Sequence, residues 1–216
     1  MTPQHTDPAL AYALLQQTRR SGQLIAILRG AGRLDRVARL AAAFAGDVDV
    51  LALPPVDVLP YDLVAPSSRA VGSRVAALTR LASKPAGPRL LLTSATASLQ
   101  RVRPPEIWRA AEFSIAKGDR IDRDALREAL AFRAYHWDER VDEPGEAALR
   151  GQVIDIFASG DVEPVRLYLE GDVIQSITGI DPVTQLSTTP RHELKLRPAT
   201  EFRIDPDSLP AATSLL

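Results

Sequence analysis

The chain has 216 residues, 45% of them apolar and 25% charged, a balance that supports a packed core and excludes disordered, collagenous and coiled-coil chains. It has no cysteine, which excludes disulfides, thiolate metal sites and a cysteine nucleophile, and its three histidines, His5, His136 and His192, show no paired spacing on one helix face for a metal. The net charge of -1 hides a step: residues 1–113 carry 14 Lys and Arg against 8 Asp and Glu, whereas residues 114–216 carry 12 against 19, so two units with different surfaces are expected.

In chain order, residues 1–113 read as alternating helix and strand. A helix is expected over Ala9 to Arg20, and the apolar run Leu24 to Leu28 after Gly22 has the length of a buried strand. Leu34, Val37, Ala41 and Phe44 recur at helical spacing, with Gly46 placed as a C-terminal stop. Val48 to Leu53 reads as a second strand, ended by Pro54-Pro55. Val71, Val75, Leu78 and Ala82 define a third amphipathic helix, and Arg89 to Thr93 a third strand. Such alternation implies an α/β unit with a parallel sheet covered on both faces, of the doubly wound class. After Pro104-Pro105 come a short helical piece at Trp108 and a polar strand at Glu112 to Ala116. Asp122 is placed to cap a helix from Arg123 to Phe132 with Leu126, Ala129 and Leu130 as its buried stripe. Val165, Leu167 and Leu169 alternate with Arg166, Tyr168 and Glu170, and Gly171-Asp172 turns into a second strand over Val173 to Thr178. The second unit is therefore expected to be a small α+β domain on an antiparallel sheet, with the boundary near residues 112–118.

The turn after the first strand, Arg29-Gly30-Ala31-Gly32-Arg33, is where a parallel α/β unit would grip a nucleotide. A phosphate cradle needs a lysine and a hydroxyl there, and the only lysines, Lys84, Lys117 and Lys195, lie elsewhere in the sequence. No nucleotide, cofactor or metal is expected, although residual nucleotide binding at Gly30 to Arg33 stays open. Asp138, Glu139, Asp142 and Glu143 read as a solvated acidic face, and Ser94 and Ser98 lack both a nearby histidine and a nucleophile elbow. No catalytic residue is expected. The first ten residues do not read as a signal peptide, and no run approaches the ~20 apolar residues of a membrane span, so a cytoplasmic protein without membrane contact is expected.

Three segments resemble the bacterial transcription-repair coupling factor family. They are Leu53 to Asp62 followed by Ser73 to Leu78; Ser94 to Pro105; and Gly145-Glu146 through Arg150-Gly151, Ile154-Asp155-Ile156-Phe157, Pro164-Val165-Arg166, Gly171-Asp172 and Asp181 to Gln185. The resemblance spans about residues 20–205 in the family's order. It implies the N-terminal UvrB-like module: residues 1–113 as a RecA-like half domain (1A) lacking a Walker motif, residues 114–205 as domain 2, which docks UvrA, and residues 206–216 as a tail leading toward the rest of the first domain. The family's ATP-driven DNA translocase and RNA polymerase contact lie further along the chain, so these residues are expected to be a piece of a far longer protein, recruiting UvrA for nucleotide excision repair without ATPase activity of its own. Masking of domain 2 in the intact protein is also implied.

The family's UvrA contacts fall here on Arg150, Arg166 and Glu170, the last departing from the phenylalanine that the family places there, with Leu169 beside it. Read from the residues alone, Arg166 lies on the outward face of an alternating strand, where an isolated guanidinium suits bidentate capture of a carboxylate. The competing expectation is that Arg150 and Arg166 pair internally with Glu146, Asp155 or Asp172. A DNA-binding role for the basic first unit, through Arg101, Arg103 and Arg109, is the alternative from a different class.

Overall fold

The computed structural model describes residues 6–58 and 63–201; the resembling residues Leu59 to Asp62, His5 and the tail from 206 lie outside them. Helix α1 (Asp7–Ser21) leads into β1 (Gln23–Leu28), and α2 (Ala31–Ala43) into β2 (Asp49–Leu53). Helix α3 (Ser68–Ala82) follows, then β3 (Arg89–Ser94), the single turn α4 (Ala95–Ser98) and α5 (Pro105–Ala111). The three strands are parallel in the order β1-β3-β2. Because the chain passes from β1 outward to β2 and then back to β3, right-handed crossovers put α2 and α3 on opposite faces.

One face, carrying Leu28, Leu90 and Leu92, packs on Leu15 of α1 and on Leu34 and Val37 of α2. The other, carrying Leu53 and Leu91, packs on Val71, Val75 and Leu78 of α3 and on Trp108. Cover on both faces is complete only over β2 and β3, since Ile25 and Ile27 of β1 stay 66% and 60% exposed. Phe44 departs from its expected place: α2 ends at Ala43, and the ring is exposed beyond the last helical turn.

The remaining elements are β4 (Phe113–Ala116), α6 (Arg123–Phe132), β5 (His136–Trp137), β6 (Glu146–Arg150), β7 (Val153–Ile156), β8 (Val165–Glu170), β9 (Val173–Ile180), β10 (Ser187–Arg191) and β11 (Glu193–Leu196). They form a six-stranded sheet, β10-β9-β8-β7-β6-β5, and a separate antiparallel pair, β11-β4. Asp122 caps α6 by accepting from the amides of Asp124 and Ala125. Leu126 and Leu130 of that helix meet Ile154, Ile156, Leu167 and Ile177 in one core that also takes Ile115 and Leu194.

The seam between the parallel sheet and this second core is built from charge and backbone. Arg74 of α3, almost wholly buried, donates to Glu201 through Nε and through Nη2 at 3.1 Å, and to the carbonyl of Pro54 at 2.6 Å. Gly72 and Gly160 lie backbone to backbone, and a Cβ on Gly160 would overlap Ala76. Nearby, the buried Tyr135 hydroxyl donates to the Arg197 carbonyl at 2.9 Å and accepts from the Ser159 amide.

Removing one partner of a buried ion pair leaves the other uncompensated, so Glu201→Gln is expected to lose about 3–5 kcal/mol in urea unfolding, with much of the loss recovered when Arg74→Met is added. Burial pushes the Tyr135 phenol from 10.0 up to about 12. A raised folded value stabilises the protein below the unfolded one and loses that stabilisation as pH rises from 10 to about 12. Tyr135→Phe, although less stable at neutral pH, should therefore show a flatter fall of unfolding free energy across that window.

Candidate functional site

The site lies on the face of the six-stranded sheet that points away from the second core. Alternation places Arg166, Tyr168 and Glu170 of β8 outward, with Leu167 and Leu169 buried. Cross-strand register sets Asp155 of β7 opposite Arg166 and Ala148 of β6 opposite Asp155. Arg150 projects from the end of β6, just before the Gly151 turn.

Asp155 is the centre of this face and is completely buried. A carboxylate removed from water must be paired and hydrogen-bonded, and both arginines supply that. Arg166 grips it in fork geometry, Nε to Oδ1 at 2.7 Å and Nη2 to Oδ2 at 2.8 Å. Arg150 adds Nη2 to Oδ2 at 2.5 Å while its side chain stays 49% exposed. The Asp155 hydrogen bonds push the Arg166 guanidinium further up, beyond its ordinary range. Two guanidiniums share one carboxylate, so the trio carries one net positive charge toward solvent.

Tyr168 flanks the trio with 36% of its surface exposed. Hydrogen bonds with Ser187, and then with Arg166, hold its phenol below the usual tyrosine range. Two loops roof the other end of the face. Val141 from the first packs on Ala148 and Phe157. The second, residues 181–186, is stitched to the first by Arg140 donating to the Pro182 carbonyl at 2.7 Å and by Gln185 Nε2 donating to the Val141 carbonyl. It also reaches the trio, since the Gln185 carbonyl accepts from Arg166 Nη1 at 3.4 Å.

The residues singled out in the sequence fall out unequally. Arg150 and Arg166 meet, and the internal pairing expected as the competing possibility exists, with Asp155 alone as partner. Glu146 instead accepts the amides of Asp142 and Glu143, and Asp172 faces Arg120. Arg166 is therefore not isolated, because its fork is already filled. Glu170 is exposed at the end of the same strand, whereas Leu169 points into the core and offers nothing outside. The sequence alone does not single out Asp155 as a site residue; its one signal there is an acid placed between two isoleucines.

The other candidate groups stay apart. Arg33 and Arg36 at the start of α2 both bond Asp7, whose carboxyl they hold below the usual carboxylate range. Of the arginines considered for DNA, Arg109 donates to the Ala82 carbonyl and faces Glu106. Within the acidic stretch, Asp142 pairs Arg140 and Glu143 accepts from Ser68. Among the described residues no group of three or more His, Asp or Glu is placed to hold a metal, and no helix is long and apolar enough to cross a membrane.

Comparison with known proteins gives a match to the UvrB interaction domain over residues 113–202, the stretch that contains the whole site. Transcription-repair-coupling factors of Myxococcus xanthus, Haemophilus influenzae and Escherichia coli are 36%, 34% and 33% identical over 165, 177 and 159 residues. These alignments cover 76%, 82% and 74% of this chain, and the chain spans only 14–15% of those relatives' length.

Asp155→Ala is expected to cost about 3–5 kcal/mol, the penalty for stranding a charge when a buried pair is broken. Arg150→Ala removes only the exposed member and should cost about 1 kcal/mol or less. Thermal unfolding of the two variants side by side checks the ranking, and equal losses would deny that Asp155 is the centre of the trio.

Proposed function

We propose that this chain, which belongs with the transcription-repair-coupling factors and carries a UvrB interaction domain at residues 113–202, is a docking module that binds UvrA in nucleotide excision repair through the outward face of its six-stranded sheet. The observation that carries the reading is the clustering of Arg150 and Arg166 around the buried Asp155 on the outward face of the sheet within the matched stretch. The remainder of the function, recruitment of UvrA to stalled RNA polymerase by a longer ATP-dependent DNA translocase, is proposed from the same kinship. Residues 1–113 act in it as a RecA-like scaffold without ATPase activity of their own, and residues 114–205 as the docking domain. DNA and RNA polymerase are proposed to be met by other parts of that longer protein, acting in the cytoplasm.

The chemistry of docking follows from who holds whom. Asp155 fixes Arg166, which presents a rigid cationic edge, and Arg150, half exposed, keeps donors for an acidic side chain of the partner. Holding both groups in place beforehand lowers the ordering cost of association. Glu170 lies on the same face and adds a negative charge where an aromatic side chain would give apolar contact.

Titrating UvrA with the chain and its variants tests this. Arg150→Ala and Arg166→Ala should each raise Kd by about 30-fold or more, as expected when a charge buried on binding loses its partner, about 2–5 kcal/mol. Glu170→Phe should lower it. Unchanged affinity in both arginine variants would remove this face from the interface.

A further inference from the structure

We infer that the turn over residues 181–186 is the apolar wall of the docking surface, accepting a partner segment in which an acidic side chain is bordered by apolar ones. The inference rests on the docking reading above and extends it to a part of the chain that the arginines alone do not identify.

The turn is held in place more firmly than an ordinary surface loop. Asp181 Oδ1 accepts the amides of Val183 and Thr184 at 2.8 and 2.9 Å, and the Asp181 carbonyl accepts the Gln185 amide at 2.8 Å. Gln185 has φ +60°, a left-handed conformation that costs a non-glycine residue about 1 kcal/mol or more. The conformation persists because its surroundings fix it: the side-chain amide donates to the Pro182 and Val141 carbonyls. Its consequence is that the Gln185 backbone carbonyl faces Arg166. Gln185 is thus a positioning residue, joining the turn to the arginine that Asp155 holds from the other side.

On this anchored turn Val183 and Leu186 are 79% and 68% exposed. Flexible loops rarely hold apolar side chains rigidly in water, whereas an interface gains from apolar contact that excludes water around a central charge pair. The turn adjoins Arg166 directly, so a partner carboxylate that reaches Arg150 would bring its apolar neighbours over Val183 and Leu186. Position 170, a carboxylate here, cannot provide that contact, and the turn can.

The test is UvrA binding by the intact chain carrying Val183→Ser and Leu186→Ser together. Both side chains are exposed, so the melting temperature should stay unchanged while Kd rises about 10-fold or more. Full affinity in this variant, with Arg150→Ala still weakening binding, would overturn the inference and leave the docking reading standing. Full affinity in this variant and in both Arg150→Ala and Arg166→Ala would overturn both. Weakened binding that is matched by an equal loss with Leu99→Ser, an exposed apolar residue after α4 and remote in sequence, would also overturn it, because the effect would then be general.

Discussion

A single carboxylate that cannot reach water organises the outward face of the six-stranded sheet. Asp155 is buried opposite Ala148 and held by two arginines, and an ion in that position is tolerable only when its lone pairs are filled by charged donors. Everything else on the face is arranged around that demand. Arg166 is fixed as a fork, Arg150 is drawn across from the neighbouring strand, and Tyr168 and the Gln185 carbonyl complete the guanidinium's surroundings. A surface built from long flexible cations becomes a surface of fixed geometry, the property that binding needs most.

The same logic operates at the seam, with a different purpose. Arg74 and Glu201 are far apart in sequence and lie on opposite sides of the second core's chain, so their pairing ties the end of that unit to α3. Gly72 against Gly160 brings the backbones closer than any side chain would allow. Charge pairs Arg197–Glu112 and Arg197–Asp161 continue the seam, and burial raises the Asp161 carboxyl while the arginines oppose it. The units are therefore connected by polar groups buried in pairs rather than by one shared apolar core, which explains why each core is complete on its own side.

Elements with a strong apolar period were legible in the sequence: the three parallel strands, α3, α6 with its Asp122 cap, and the β8–β9 hairpin. Elements that stay unassigned in the sequence are those where local chemistry and tertiary context disagree. Residues 146–150, Glu-Ala-Ala-Leu-Arg, have the composition of a helix, yet they form β6, bounded by Gly145 and Gly151 in left-handed conformations that a helix would not contain. Strand β10 is polar and includes Pro190, tolerable at a sheet edge but invisible to pattern. At the site, Arg166 is visible as an outward position on an alternating strand and Arg150 only through the family resemblance, and the fork of Arg166 reads as free until β7 is paired beside it. The left-handed Gln185 could not be read at all, because nothing in its side chain asks for that conformation.

The clamp also resolves a problem that the acidic second half of the chain creates. With 19 acids against 12 bases among residues 114–216, an unrestrained arginine on this surface would wander among nearby carboxylates and pay for each rearrangement on binding. Asp155 satisfies the arginines with one acid, chosen by strand register, and leaves Glu146 and Asp172 engaged elsewhere. Because one carboxylate balances only one of two guanidiniums, the residual charge is positive and localised within an acidic surround. In the proposed docking, a partner acid is drawn to that one point on the face and its approach is resisted elsewhere. Specificity in that docking arises from an imbalance of one charge, held still by a buried ion rather than by the number of basic residues on the surface.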